Sequence, residues 1–279
     1  QGMETFDGRY LRASDYSHSS WVLFGVPYDG TSSFKPGSRF GPQAIRQASI
    51  SLEDYSPYQG KTLPTFADIG DIEMPLGTVE KALAEIEKVA DGVIADGKFF
   101  IALGGEHSIT IATVNSYKKK YANLQVVAFD AHCDFRDEYL KGKFSHATVL
   151  RRIAEMSKLH LFGPRSGSRN EFVDVKRLCL TFEPFGISKI GDAVSIIGND
   201  PVYITLDLDI LDPSVFPGTG NPEPGGLAFS ELLDAILWLS SQLNIVGVDI
   251  VELNPMLDPS GASAVVAAKI VREILIAVG

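Results

Sequence analysis

Short apolar runs rich in β-formers recur along the chain: WVLFGV at 21–26, FFIALG at 99–104, LQVVAFD at 124–130, LHLFG at 159–163, LCLT at 178–181, VYITLD at 202–207 and IVGVDIV at 245–251. Between most of them lie amphipathic segments long enough for helices. The clearest are TVEKALAEIEKVADGVIADG at 78–97, FSELLDAILWLSSQL at 229–243 and ASAVVAAKIVREILIAV at 262–278. In the first, Thr78 stands as N-cap ahead of Glu80 and Lys81, apolar residues recur at Val79, Leu83, Ile86, Val89 and Val93, and Gly97 can end the helix. Strands alternating with helices predict βαβ units and a mostly parallel sheet covered on both faces, an α/β fold. No linker, low-complexity tract or repeat period divides the chain, so one domain over 1–279 is expected.

Composition narrows the class. The 279 residues are 45% hydrophobic and 22% charged, enough for one large core. The longest apolar stretch, AVVAAKIVREILIAV, is broken by Lys269, Arg272 and Glu273, so no membrane span is expected. The first 25 residues are mixed and polar, unlike a signal peptide, and QGM reads as a tag remnant before a native Met3. With only Cys133 and Cys179, a disulfide framework is not expected, and a reducing cytoplasm is. A net charge of −10 and a pI near 5.0 argue against nucleic acid or anionic membrane as partners and mildly favour cationic ligands.

Ligands of open parallel sheets bind beyond the carboxyl ends of the strands. There this chain gathers His107 after FFIALG, Asp130, His132 and Asp134 after LQVVAF, and Asp207 and Asp209 at the end of VYITLD. Side chains repeat every two residues along a strand, so each group can face one side if the extended conformation persists. A lone Asp-x-His-x-Asp can be a solvated strand end, and Asp207-Leu208-Asp209 a lead-in to the turn at Asp212-Pro213. Together, however, so many carboxylates repel unless protonated, hydrogen-bonded or bound to cations. Four carboxylates and two imidazoles exceed the needs of one tetrahedral zinc and suit two metal ions; the oxygen-rich set points to manganese, with iron, cobalt or zinc as alternatives.

The motifs GGEHS (104–108), FDAHCD (129–134), SHATV (145–149), LDLDILDP (206–213), PGTGNPEPGGL (217–227) and DIVELNP (249–255) stand in the order found in the ureohydrolases, the arginase and agmatinase family. GVPYDGTSSFKPGSRFGPQAIR (25–46) is similar to that family as well, so the resemblance covers nearly the whole chain. It implies a three-layer α/β/α sandwich assembled as a homotrimer or homohexamer, with two Mn2+ ions per chain. His107 and Asp134 would bind one ion, His132 and Asp209 the other, and Asp130 and Asp207 would bridge. Catalysis would fall to His146, Asp134 and Glu252: Glu252 resembles the carboxylate that holds the guanidinium, and His146 the proton shuttle to the departing amine. Read without the family, Glu252 is an acid at a strand end and His146 a helix-start residue after Ser145. Glu106 and Asp212 are expected to support the site by hydrogen bonds, His18 to lie on the surface and His160 within a strand.

The same resemblance points to agmatine. Arginases carry a serine- and asparagine-rich loop for the α-amino and α-carboxylate groups, whereas FRDEYLKGKFSHAT (135–148) looks like agmatinase loops, with Asp137, Glu138 and Tyr139 in an acidic-aromatic run. Arg136, Lys141 and Lys143 are potential carboxylate partners, which keeps guanidinobutyrate as the alternative; arginine and aminopropylagmatine follow. Three positions depart from the family pattern: Asn221 and Cys133 stand where threonine is usual, and Pro164 interrupts FGPRSG. Cys133 is expected to point away from the neighbouring ligands. A different two-metal hydrolase, such as a phosphoesterase, would need a phosphate-cradling loop, and no P-loop occurs. A catalytically silent relative would have lost a ligand, His146 or Glu252, and all are present.

Overall fold

The computed structural model describes residues 8–279, so the QGM reading falls outside it. Strands β1 (Trp21–Val26), β2 (Tyr55–Ser56), β3 (Lys61–Thr62), β4 (Phe66–Asp71), β5 (Phe99–Gly104), β6 (Gln125–Phe129), β7 (Lys158–Phe162), β8 (Thr181–Glu183), β9 (Pro201–Asp207) and β10 (Asn244–Val251) alternate with helices, except that β2, β3 and β4 follow one another directly. The helices are α1 (Gly41–Ser49), α2 (Val79–Ala95), α3 (Thr110–Lys120), α4 (Val149–Met156), α5 (Arg169–Leu178), α6 (Ile190–Ile197), α7 (Phe229–Gln242) and α8 (Ala262–Val278). Eight strands form one sheet in the order β4-β1-β5-β10-β9-β6-β7-β8, every neighbouring pair parallel. β2 and β3 form a separate antiparallel hairpin.

Strand alternation explains the three layers. Leu23, Ile101, Val127, Ile204 and Val248 point to one face, where Ile45 of α1, Ala193 of α6, Leu232 of α7 and Val271 of α8 cover them. Their neighbours Val22, Phe100, Val126 and Tyr203 point to the other face, under Ile86 of α2, Val114 of α3, Ile153 of α4 and Val175 of α5. Being buried on both faces, β1, β5 and β9 are apolar almost throughout, and the runs at 21–26, 99–104 and 202–207 mark them closely. The run at 178–181 misplaces its strand: Leu178 closes α5 and β8 begins at Thr181. α2 begins after Thr78, whose side chain makes no capping bond, and Gly97 follows its end at φ +75°. Among the described residues, no helix is long and apolar enough to cross a membrane. The charges of α8 are absorbed instead: Arg272 and Glu273 are buried as a pair, and Glu273 Oε2 accepts from Ser56 at 2.6 Å.

The order of the strands positions the site. From β1 the sheet grows outward to β4 and inward to β5, then the chain crosses to β6 and grows to the opposite edge at β8. β9 and β10 return to fill the gap between β5 and β6. The reversal leaves a crevice above the carboxyl ends of the four central strands.

Candidate metal centre and cleft

Each central strand delivers its polar residues just past its end. His107 follows β5, Asp130, His132 and Asp134 follow β6, Asp207 closes β9 with Asp209 in the next turn, and Glu252 follows β10. Gly105 permits the tight approach at β5: a side chain there would strike the backbone of Tyr28, whose carbonyl accepts from Glu106 N at 2.8 Å.

Two groups of side chains are spaced to hold a cation: His107, Asp130 and Asp207 in one, Asp130, His132 and Asp209 in the other, with Asp130 in both. His107 Nδ1 lies 3.1 Å from Asp130 Oδ2, 3.3 Å from Asp207 Oδ2 and 3.6 Å from Asp134 Oδ2. His132 Nδ1 lies 2.8 Å from Asp209 Oδ2 and 3.7 Å from Asp130 Oδ1.

Persistent strand alternation does not produce this convergence. β6 stops at Phe129, Asp134 has φ +45°, and Asp209 sits in a 3₁₀ turn at Leu208–Ile210. The spacing of two instead encodes a side-chain turn, in which an aspartate accepts from the backbone two residues on. Asp130 Oδ1 accepts from His132 N at 2.6 Å, and Asp207 Oδ1 accepts from Asp209 N at 2.9 Å. Each turn fixes one oxygen and leaves Oδ2 aimed at His107.

Hydrogen bonding also sets the tautomer of His107. Thr205 Oγ1 donates to Asp249 Oδ1 at 2.6 Å, so toward His107 Nε2, 2.9 Å away, it accepts. Nε2 then carries the proton and Nδ1 presents a lone pair to three carboxylates. His107 Nδ1 and Asp130 Oδ2 are buried without a hydrogen-bond partner. Two acceptors facing each other out of water repel unless a proton or a cation lies between them.

The electrostatics agree. Burial, reinforced by the Asp130 charge, raises the Asp134 pKa to about 7. Burial with Asp209 and Asp130 nearby holds Asp207 well above the carboxylate range. For Asp130 burial acts upward too, but His107 and His132 outweigh it and bring the pKa down to about 2. Burial opposes charging of both histidines, yet the surrounding aspartates push them well above the ordinary imidazole value. Such a cluster holds protons wherever it lacks a cation. Its oxygens and imidazole nitrogens fit a divalent ion of manganese, iron, cobalt or zinc type.

The centre forms the floor of a cleft of about 210 Å³. Glu252 and His146 line it, with Ser33, Arg136, Tyr139 and Asn221 among the other wall residues. Glu252 has φ +67°, outside the usual range for a side-chain residue, and its Oε1 accepts from His107 N at 2.8 Å. Burial, with Glu106 close by, raises its pKa to about 8. His146 opens a 3₁₀ turn capped by Ser145; burial, with the His132 charge, lowers its pKa to about 4. Glu106 sits behind this wall, bonded to Thr31, Ser32 and Ser108. Asp212 braces the neighbouring loop, accepting from Ser214, Gly225 and Gly226 backbone groups.

His18 is exposed and His160 is buried in β7. Cys133 packs into the apolar layer over α5, though it also touches the cleft wall. Of the acidic-aromatic run, only Tyr139 lines the cleft; Asp137 turns to Arg152, 2.7 Å away. Arg136 lines it too, whereas Lys141 and Lys143 do not. Sequence reading missed Thr205, Asp249 and Thr31. An aspartate inside the apolar run IVGVDIV was the available signal, since a buried carboxylate needs donors.

A family model described as Arginase family matches residues 19–277. The agmatinase of Halalkalibacterium halodurans is 39% identical, covering 98% of this chain and 98% of its own length. The N(1)-aminopropylagmatine ureohydrolase of Thermococcus kodakarensis is 38% identical over 88% of this chain and 86% of its own. Among solved structures, the agmatine ureohydrolase of Thermoplasma volcanium superposes with a TM-score of 0.86 at 35% identity, covering 96% of this chain and 92% of that one.

Proposed function

The chain belongs to the arginase family and is an agmatinase-type ureohydrolase, and from that premise we propose that it cleaves agmatine to urea and putrescine with two manganese ions as cofactor. One observation carries the reading: two groups spaced to hold a cation share Asp130 and lie beside a half-buried carboxylate, Glu252, in a cleft that His146 also lines.

In this proposal His107, Asp134, His132 and Asp209 would hold the ions, with Asp130 and Asp207 serving both. When bound, the two ions lower the pKa of a water enough for hydroxide to be available near neutral pH. Glu252 receives the guanidinium. Burial raises its pKa and a cation beside it lowers it again, so the arriving guanidinium itself favours the ionised carboxylate. The backbone bond from His107 N fixes one Glu252 oxygen and thereby the orientation of the substrate carbon above the centre. His146, neutral above its pKa of about 4, accepts a proton and passes it to the departing amine.

Agmatine over arginine rests on the cleft wall and the relatives. The loop at 135–148 has no asparagine, and its one serine, Ser145, is buried against Thr148, so it does not offer an α-carboxylate the paired donors it needs; an unpaired carboxylate loses several kcal/mol on entering such a cleft. Arg136 favours a second reading, guanidinobutyrate, because it lines the cleft. Its Nε is drawn toward Glu171 Oε2 at 3.6 Å and its guanidinium lies 5.3 Å from the Tyr139 ring, so its charge is already engaged. We further propose a single-domain cytoplasmic enzyme acting as a homotrimer or homohexamer.

The deciding measurement is kcat/KM with manganese for agmatine, arginine, guanidinobutyrate and aminopropylagmatine side by side. Agmatine is expected to lead. A higher value for guanidinobutyrate transfers the assignment to Arg136 as tail partner, and absence of urea from all four overturns the function.

A further inference from the structure

The N-terminal loop carries a hydroxyl whose bonding is unusually well determined. Thr31 Oγ1 makes a short hydrogen bond to Glu106 Oε1 and also contacts His146 twice, 3.1 Å from its backbone N and 3.2 Å from Nδ1. Glu106 is fully buried and further receives Thr31 N at 2.9 Å, Ser32 Oγ at 3.2 Å and Ser108 Oγ at 2.5 Å. With four donors directed at it, this carboxylate acts as an acceptor, and the Thr31 hydroxyl proton belongs to it. Thr31 Oγ1 therefore has only lone pairs to offer His146, one for the backbone N–H and one for the ring. The ring nitrogen that meets it, Nδ1, must carry hydrogen.

The opposite side of the ring completes a one-way chain. His146 Nε2 lies 3.3 Å from Ser33 Oγ, and Tyr139 OH donates to that same Ser33 oxygen at 3.1 Å. Ser33, supplied by Tyr139, is free to donate to Nε2. Donors thus run in one direction from Tyr139 through Ser33 and His146 to Thr31 and Glu106, with Nε2 as the unprotonated nitrogen on the cleft side.

We propose that Thr31 and Glu106 are positioning residues that lock His146 as its Nδ1–H tautomer and present the Nε2 lone pair to the cleft. The inference deepens the functional reading and rests on it for the role of His146, but the tautomer itself does not depend on that role. Like the orienting carboxylate of a hydrolase triad, Glu106 acts through another group; here Thr31 stands between. A ring held the other way would bring a proton to the cleft where a base is required.

The test reads the tautomer directly. In protein loaded with diamagnetic zinc, imidazole ¹⁵N shifts of His146, assigned by comparison with His146→Gln, are expected to show Nδ1 protonated and Nε2 free. Thr31→Val is expected to mix the tautomers and lower kcat for urea release by roughly 10²-fold, with KM and bound metal unchanged. Thr31→Ser, which restores the hydroxyl, is expected to recover both the spectrum and the rate. A wild-type spectrum with Nε2 protonated overturns the proposal, and so does a Thr31→Val spectrum identical to wild type. Since the wild-type spectrum needs no variant, a Thr31→Val chain that fails to fold does not shield the idea. A chain with the expected tautomer that releases urea from no guanidino compound upholds the lock and overturns the functional reading.

Discussion

The two halves of the candidate metal centre use one ligand chemistry in opposite settings. His107 is fully buried, and its remote nitrogen is anchored by Thr205 and Asp249 inside the sheet, where Tyr203 OH also donates to Asp249 at 2.9 Å. His132 is half-buried, and its remote nitrogen meets Asn221 at 2.9 Å and Glu223 at 3.8 Å on a loop at the cleft rim. One ring is anchored from strands, the other from a loop. From that difference the buried half is expected to hold its ion more tightly than the rim half, because what fixes the ring behind the donors differs.

Asp130 is the residue that abolishes the distinction, since it belongs to both groups. Asp130→Asn keeps its shape and removes the negative charge shared between them. Both ions are expected to be lost and turnover with them, the largest effect of any single substitution here. Metal analysis of the purified variant checks it; full occupancy with retained activity would show that the halves are independent.

Removing the ions should let protons take their place, and the sign follows from the raised carboxyls. Without metal, Asp134 and Glu252 titrate near 7 and 8, against ordinary values of 3.8 and 4.5. Between those limits the folded chain binds more protons than the unfolded one. The stabilisation is complete below the unfolded values and is lost as pH rises through the folded ones. Chelated protein is therefore expected to melt lower at about pH 8.5 than at about pH 5.5, and manganese to raise Tm most at the higher pH, where fewer protons must be displaced. A manganese gain equal at both would separate the ions from these carboxyls.

How much of this was legible in the chain follows from the same division. Strands buried on both faces announce themselves as apolar runs, which is why β1 and β5 could be read to the residue. β4 could not: FADIGD is an edge strand whose Ile69 is exposed, so no continuous apolar run marks it. The six ligand candidates were legible as a set because acids and histidines collect at strand ends. Their geometry was not, because Asp-x-His and Asp-x-Asp state a spacing that a straight strand and a side-chain turn share. Thr205, Asp249 and Thr31 act through hydrogen bonds between segments far apart in sequence, and only the folded chain brings those partners together.

The buried anchor can be removed without changing its volume. Thr205→Val leaves the His107 Nε2–H and one Asp249 oxygen unpaired inside the protein, freeing the ring to rotate or change tautomer. Affinity for the more tightly held ion is expected to fall roughly 10- to 100-fold, measured by competition with a chelator. Unchanged affinity would mean that the three aspartates alone define the inner half.

At the rim the corresponding change should matter least. A ring that ligates through Nδ1 carries its proton on Nε2, and the Asn221 carboxamide can accept that proton only with its oxygen turned toward His132. Asn221 is exposed, Glu223 Oε1 stands 3.8 Å from the same nitrogen, and water reaches both. Any of these acceptors replaces the amide at little cost. Asn221→Ala is therefore expected to weaken only the more loosely held ion, by less than about tenfold, and to speed its release to chelator while leaving the inner ion unaffected. Asn221→Thr, which offers a hydroxyl at the same place, should return the release rate toward that of the parent chain. If Asn221→Ala instead matched Thr205→Val in its effect, the rim would anchor its ligand as firmly as the sheet does, and burial behind the ring would not be what separates the two halves.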